Sequence, residues 1–180
     1  MNVAVYCASS AGQDPGYINS ARELGALLAK RGHTVVYGGS EGGLMGALAD
    51  AALSAGGHVT GVLPDVKRIL ARRHPRLTEY IYTDTLASRR TKMIGLVQAF
   101  IVLPGGLGTL DEITEVMSLA SLGIINAPAA FINTLGYYEP LRQMLDRALN
   151  EGFARAEYFE KLCFADSPAK AVEFIEAYSE

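Results

Sequence analysis

Two glycine clusters, with charged residues beside the second, carry the chemistry legible in this 180-residue chain. The first cluster is Gly38-Gly39-Ser40-Glu41-Gly42-Gly43-Leu44-Met45-Gly46. The second is Pro104-Gly105-Gly106-Leu107-Gly108-Thr109-Leu110-Asp111-Glu112. Each follows an apolar run of strand length and opens a helical pattern. Glycine there lets the backbone approach a ligand closely, and the free N–H groups of a helix start favour an anion. One such cluster is equally a tight strand–helix turn; two at strand ends favour a phosphate-bearing ligand. Neither completes G-x-G-x-x-G. Gly106-Leu107-Gly108 begins it, but the last position is Asp111, poorly placed beside a pyrophosphate. Neither ends in the Gly-Lys-[Ser/Thr] of a P-loop. A dinucleotide oxidoreductase and an NTPase are disfavoured, and a monophosphate fits better.

The second cluster also brings acids. Asp111, Glu112 and Glu115 fall in the first two turns of their helix, where each carboxylate gains about 0.3–1 kcal/mol from the positive helix end. That accounts for acids in general. Beside a phosphate loop, however, they repel the ligand unless they face another part of it or cations intervene. Cations stand in Ser88-Arg89-Arg90-Thr91-Lys92-Met93, on the helix before the strand that leads into Pro104. Arg89 and Arg90 are either an ordinary solvated face or part of the site. A phosphate loop, a guanidinium and a carboxylate in one crevice suit cleavage of a bond on a sugar phosphate.

The elements that must hold these groups alternate along the chain. Strands are expected at Val3–Cys7, His33–Tyr37, Val59–Leu63, Tyr80–Thr83, Ala99–Leu103 and near Ala129–Ile132. Helices are expected at Tyr17–Lys30, Leu44–Ser54, Leu86–Val97, Thr109–Leu122, Tyr138–Glu151 and Pro168–Tyr178. The basic stretch from Pro64 to Thr78, with Lys67, Arg68, Arg72, Arg73 and Arg76, shows no period. Strand–helix alternation implies parallel strands joined by crossover helices, and so an α/β, Rossmann-like doubly wound sheet with helices on both faces. Its strands are covered on both sides, as the continuous apolar run Phe100-Ile101-Val102-Leu103 requires. Ligands in such folds bind beyond the carboxyl ends of the strands, here after Cys7, Tyr37, Leu63 and Leu103. No linker or repeat divides the chain, so residues 1–180 read as one domain.

Composition narrows the rest. Hydrophobic residues make up 49% and charged residues 19%, which excludes a disordered chain. A net charge of −3 argues against general nucleic-acid binding. No apolar stretch reaches the roughly 18 residues needed to cross a bilayer, and the start of the chain lacks a basic secretion signal. Cys7 and Cys163 have no partner spacing and read as buried thiols of a cytoplasmic protein. His33, His58 and His74 are scattered and read as structural, with no metal site and no cofactor expected.

The nine residues from Pro104 to Glu112 resemble the PGGxGTxxE motif of the LOG (Lonely Guy) family of cytokinin riboside 5′-monophosphate phosphoribohydrolases, many of which carry the label "possible lysine decarboxylase". Arg89-Arg90 through Met93 resembles that family's R-K-x-x-M motif. Cys7-Ala8-Ser9-Ser10 with Pro15 and Tyr17, the Tyr37–Gly46 cluster, Gly136-Tyr137-Tyr138 and Glu151-Gly152-Phe153 follow in the family's order, so the likeness spans nearly the whole chain. It implies hydrolysis of the N-glycosidic bond of AMP or an N6-substituted AMP, giving free base and ribose 5-phosphate. It also implies a homodimer, while charge and hydropathy leave no nucleic-acid or membrane partner expected. Arg89 and Glu112 take the family's catalytic roles, and Gly105, Gly106, Gly108 and Thr109 its ribose-phosphate loop. Leu107, Arg90, Asp111, Glu115 and Gly39 complete the expected substrate contacts. Glu112 either stabilises charge building at C1′ or aligns the attacking water; Arg89 either holds Glu112 ionised or binds the ligand.

The chain departs from the family at several points. Leu86-Ala87-Ser88 replaces Met-His-Glu, Arg90 replaces Lys, Leu107 replaces Tyr and Gln98 replaces Asp. The Lys67–Arg76 stretch lacks a Glu often found there. These changes bear on the base rather than on the catalytic pair. Three other functions remain to be weighed against this one: a broader purine or pyrimidine monophosphate nucleosidase, a pyridoxal-dependent decarboxylase using Lys92, and a nucleotide-binding regulatory module without catalysis.

Overall fold

A computed structural model describes residues 1–178. The chain runs β1 (Asn2–Tyr6), α1 (Pro15–Lys30), β2 (Thr34–Tyr37), α2 (Gly43–Ser54), β3 (Val59–Pro64), α3 (Lys67–Leu70) and β4 (Glu79–Thr83). It continues through α4 (Leu86–Leu96), β5 (Ala99–Val102), α5 (Leu107–Ser121), β6 (Ala129–Ile132), α6 (Glu139–Asn150), β7 (Leu162–Ala165) and α7 (Pro168–Ala177). All seven strands are parallel, in the order β4-β3-β2-β1-β5-β6-β7. The order reverses between β1 and β5, which opens a crevice beyond their carboxyl ends. The expected doubly wound fold is the one found.

Alternation along each strand divides the core. Val3, Val5 and Cys7 face one side with Leu24, Leu28, Leu44 and Leu48, while Ala4 and Tyr6 face the other with Met93, Phe100, Ile113 and Val116. Helices α1, α2 and α7 therefore cover one face, and α4 and α5 the other. The helix starts are written locally. Asp14 accepts from the Gly16 N–H at 2.7 Å with Pro15 in the first turn, and Thr85 and Ser88 form a reciprocal capping box on α4.

Three differences from the sequence expectation matter. The edge strand β7 was not anticipated: Leu162-Cys163-Phe164-Ala165 is only four residues long and pairs on one side, with β6. The aperiodic basic stretch contains the four-residue helix α3 and otherwise runs irregularly. Helix α5 begins at Leu107 rather than Thr109, so Gly108 and Thr109 lie in its first turn and Gly106 is its N-cap.

Candidate active site

A cavity of about 440 Å³ opens at the carboxyl ends of β1, β2, β3 and β5, where the fold directs ligands. Its walls include Cys7–Ser10 after β1, Gly38 and Ser40 after β2, Pro64 with Arg68, Ile69 and Arg72 after β3, and Gly106, Gly108, Thr109 and Glu112 after β5. Arg89 reaches it from α4.

Arg89 and Glu112 meet inside this cavity. The Arg89 Nη1 group donates to Glu112 Oε1 at 2.6 Å, and its Nε donates to the Val62 carbonyl at 2.9 Å. Both side chains are about nine-tenths buried. Helical periodicity explains why these two residues face inward. Thr109, Glu112, Ile113 and Val116 share the buried side of α5, and Arg89 shares that of α4 with Met93, four residues on. Gly38 makes room for the pair, since a Cβ there would stand 2.5 Å from Arg89 Nη2 and 3.0 Å from Met45 Cε. Burial pushes the Glu112 carboxyl above the ordinary carboxylate range, and the charge and hydrogen bond of Arg89 only partly oppose it. Burial also raises the Cys7 thiol, so the sulfur lining the floor is a poor nucleophile.

The second glycine cluster brings the start of α5 to the cavity. Gly106 and Gly108 have open space where a Cβ would lie, and the N–H groups at the start of α5 have no helical acceptor behind them. Crystals grown in phosphate or sulfate are expected to hold an anion against the amides of Gly106, Gly108 and Thr109. Electron density showing the anion consistently elsewhere would remove the phosphate argument. Gly105 does a different job. A side chain there would collide with Thr109, and its carbonyl accepts from the Tyr137 hydroxyl at 2.6 Å, on an adjoining smaller hollow.

Several other expected contacts are not on the cavity wall. Arg90, next to Arg89, projects about 100° away around α4. It pairs with Asp111, at 3.0 Å, and with Glu115, tying α4 to the outer face of α5. Asp111 and Glu115, four residues apart, share that outer face, so three of the expected ligand-binding residues instead join the two helices. Leu107 is 86% exposed at the helix start and does not line the cavity. Gly39 adopts φ +77° with Leu63 packed where its Cβ would be; it makes the turn, while its neighbours Gly38 and Ser40 face the cavity.

Arg68, Ile69 and Arg72 were missed as wall residues. Their stretch has neither helical nor strand period, and its one visible signal was its charge. It is fixed by contacts distant in sequence: Glu41 N–H to the Arg72 carbonyl, His74 N–H to the Gly39 carbonyl at 2.8 Å, and a bridge between Ser40 and Arg73.

Fold and site together define a Rossmann-like α/β protein with a glycine-rich helix start and a buried arginine–glutamate pair at the switch of its sheet. Comparison with known proteins makes this specific. Residues 45–175 match the family described as "Possible lysine decarboxylase". A probable cytokinin riboside 5′-monophosphate phosphoribohydrolase of Oryza sativa subsp. japonica is 39% identical over 98% of this chain and 72% of its own length. A cytokinin riboside 5′-monophosphate phosphoribohydrolase of Arabidopsis thaliana is 38% identical, over 98% of this chain and 83% of its own. The chain belongs to this family, the LOG family. Among solved structures, the molybdenum cofactor binding protein of Rippkaea orientalis superposes with a TM-score of 0.75 at 21% identity, covering 99% of this chain and 97% of its own. That likeness is one of fold.

Proposed function

We propose that this protein hydrolyses the N-glycosidic bond of AMP or an N6-substituted AMP, the cytokinin riboside 5′-monophosphate type, releasing free base and ribose 5-phosphate. The observation that carries the reading is the buried Arg89–Glu112 pair set beside the α5 start in one cavity. A phosphate at the Gly106–Thr109 amides anchors the ribose, and C1′ then lies toward the pair. As the bond to the base breaks, positive charge builds on the ribose, and the ionised Glu112 stabilises it. Water adds to C1′ and yields its proton to Glu112, whose raised pKa suits that task. The electron pair of the broken bond leaves with the base, which takes a proton from solvent, and Glu112 gives the proton it received back to solvent and is ionised again. Arg89 holds Glu112 in place and ionised at neutral pH.

The reading extends to the setting of the enzyme: residues 1–180 form one domain, working in the cytoplasm as a homodimer. Among the described residues no helix is long and apolar enough to cross a membrane. Literal lysine decarboxylation does not fit the site. That chemistry needs pyridoxal phosphate held by a lysine. Lys92, the nearest candidate in sequence, is exposed on a separate hollow of α4, and none of the cavity-lining residues is a lysine. A non-catalytic nucleotide-binding module is disfavoured by Glu112, since binding alone gains nothing from a buried carboxylate beside an anion site.

Incubation with AMP and with N6-isopentenyl-AMP, followed by chromatography for free base and ribose 5-phosphate, tests the activity. Both products are expected in equal amounts. Release of adenosine and inorganic phosphate instead would show that the wrong bond had been assigned.

A further inference from the structure

The cavity is uneven in charge along its length. Its β5 end offers backbone amides, and its middle holds the Arg89–Glu112 pair, internally neutralised. Its β3 end carries two further guanidinium groups, Arg68 and Arg72, with Ile69 between them. Neither arginine has a carboxylate or a side-chain hydrogen-bond partner among the described residues. By contrast Arg31, Arg76, Arg90, Arg142 and Arg147 each pair with an acid.

The wall that carries them is built in. Its last part is tied to the first glycine cluster through Arg72 and His74. The buried His74 ring contacts Asp50 of α2 at 3.3 Å, and the Tyr80 hydroxyl donates to the His74 carbonyl at 2.6 Å. Arg73 is occupied in the same scaffold: its guanidinium donates to the Tyr82 hydroxyl and lies over the Tyr80 ring. Arg68 and Arg72 are therefore the cations this scaffold leaves facing the cavity.

From β5 to β3 is three strand spacings, about 14 Å across the sheet. A phosphate seated on α5 leaves the far end of a nucleotide, the base and its substituent, near Arg68 and Arg72. Resting on the phosphoribohydrolase reading above, we propose that Arg68 and Arg72 set substrate specificity by binding a carboxylate carried on the N6 substituent of the base. The site then takes nucleotides that are anionic at both ends, with the scissile bond between. A plain hydrocarbon substituent would displace water from two guanidinium groups and return no hydrogen bond. A carboxylate accepts from their planar forks, and Ile69 provides apolar contact for the connecting carbons.

The test compares kcat/KM on AMP, N6-isopentenyl-AMP and N6-carboxyalkyl-AMP for the parent and for Arg68→Gln/Arg72→Gln, with folding checked by circular dichroism. The parent is expected to prefer the carboxylated substrate over the isopentenyl one by about tenfold or more, and the double variant to lose that preference. In Arg68→Glu/Arg72→Glu the preference should invert toward an N6-aminoalkyl-AMP, an outcome that a merely structural role would not produce. Cleavage of AMP with no discrimination by the parent, or the same discrimination in parent and variants, would overturn the arginine assignment alone. No base released from any substrate would overturn the hydrolase reading, and this inference with it.

Discussion

Glu112→Gln is expected to lose about 10²–10³-fold in kcat with little change in KM. Glutamine keeps the shape and still accepts from Arg89 Nη1, so the cavity and the amides at the α5 start persist. What it cannot do is carry negative charge toward C1′ or take the proton of water. Folding should survive, because two effects oppose each other. The variant removes a carboxylate whose ionised form burial disfavours, and it also removes the counter-charge of a buried guanidinium. The pH profile provides a second check. The proposed mechanism requires ionised Glu112, whose pKa is raised by burial, so the acid limb of kcat should lie above the range of an exposed glutamate. Near-parental turnover in the variant would reduce Glu112 to a well-placed helix carboxylate.

Arg89→Ala is expected to abolish measurable cleavage and to destabilise the fold by about 3–5 kcal/mol at neutral pH, because it leaves Glu112 buried and ionised without a partner. The sign of the pH dependence follows from the same carboxyl. Without Arg89, burial loses its main opponent and the folded-state pKa of Glu112 rises further. A raised pKa contributes stability present below the unfolded value and lost as pH rises through the folded one. The deficit against the parent should therefore shrink as pH is lowered from neutral, read as converging thermal midpoints. Arg90→Lys is the contrasting case. Its partners Asp111 and Glu115 are partly exposed, so the variant should stay within about 1 kcal/mol of the parent in stability and remain active. If Arg89→Ala stays active while Arg90→Lys fails, the roles of the two arginines are reversed.

Much of this molecule follows from local pattern. The parallel sheet was legible because fully covered strands must be continuously apolar, as Phe100–Leu103 is, and because glycine or proline marks every strand–helix junction except that between β4 and α4. The glycine loop and its acids were legible for a similar reason: both are consecutive residues at one helix start. Strand β7 was not. A short edge strand takes half its definition from the partner it pairs with, and Leu162–Ala165 carries no alternation to announce it.

The site divides along the same line. Sequence by itself determined the parallel fold, the glycine-rich helix start after β5, and the family motifs that single out Arg89 and Glu112. Tertiary structure alone decided which charges enter the cavity. Arg89 and Arg90 are adjacent in sequence, yet a 100° turn of helix sends one inward to Glu112 and the other outward to Asp111 and Glu115. Gly38 faces the cavity rather than Gly39, because positive φ and the packing of Leu63 turn Gly39 away. Arg68 and Arg72 line the wall because backbone bonds to residues 39 and 41, some thirty positions earlier, hold an otherwise patternless stretch against the first glycine cluster. Periodicity records how a segment meets its own core; it carries no trace of a neighbour that approaches from elsewhere in the chain, and that approach completes this site.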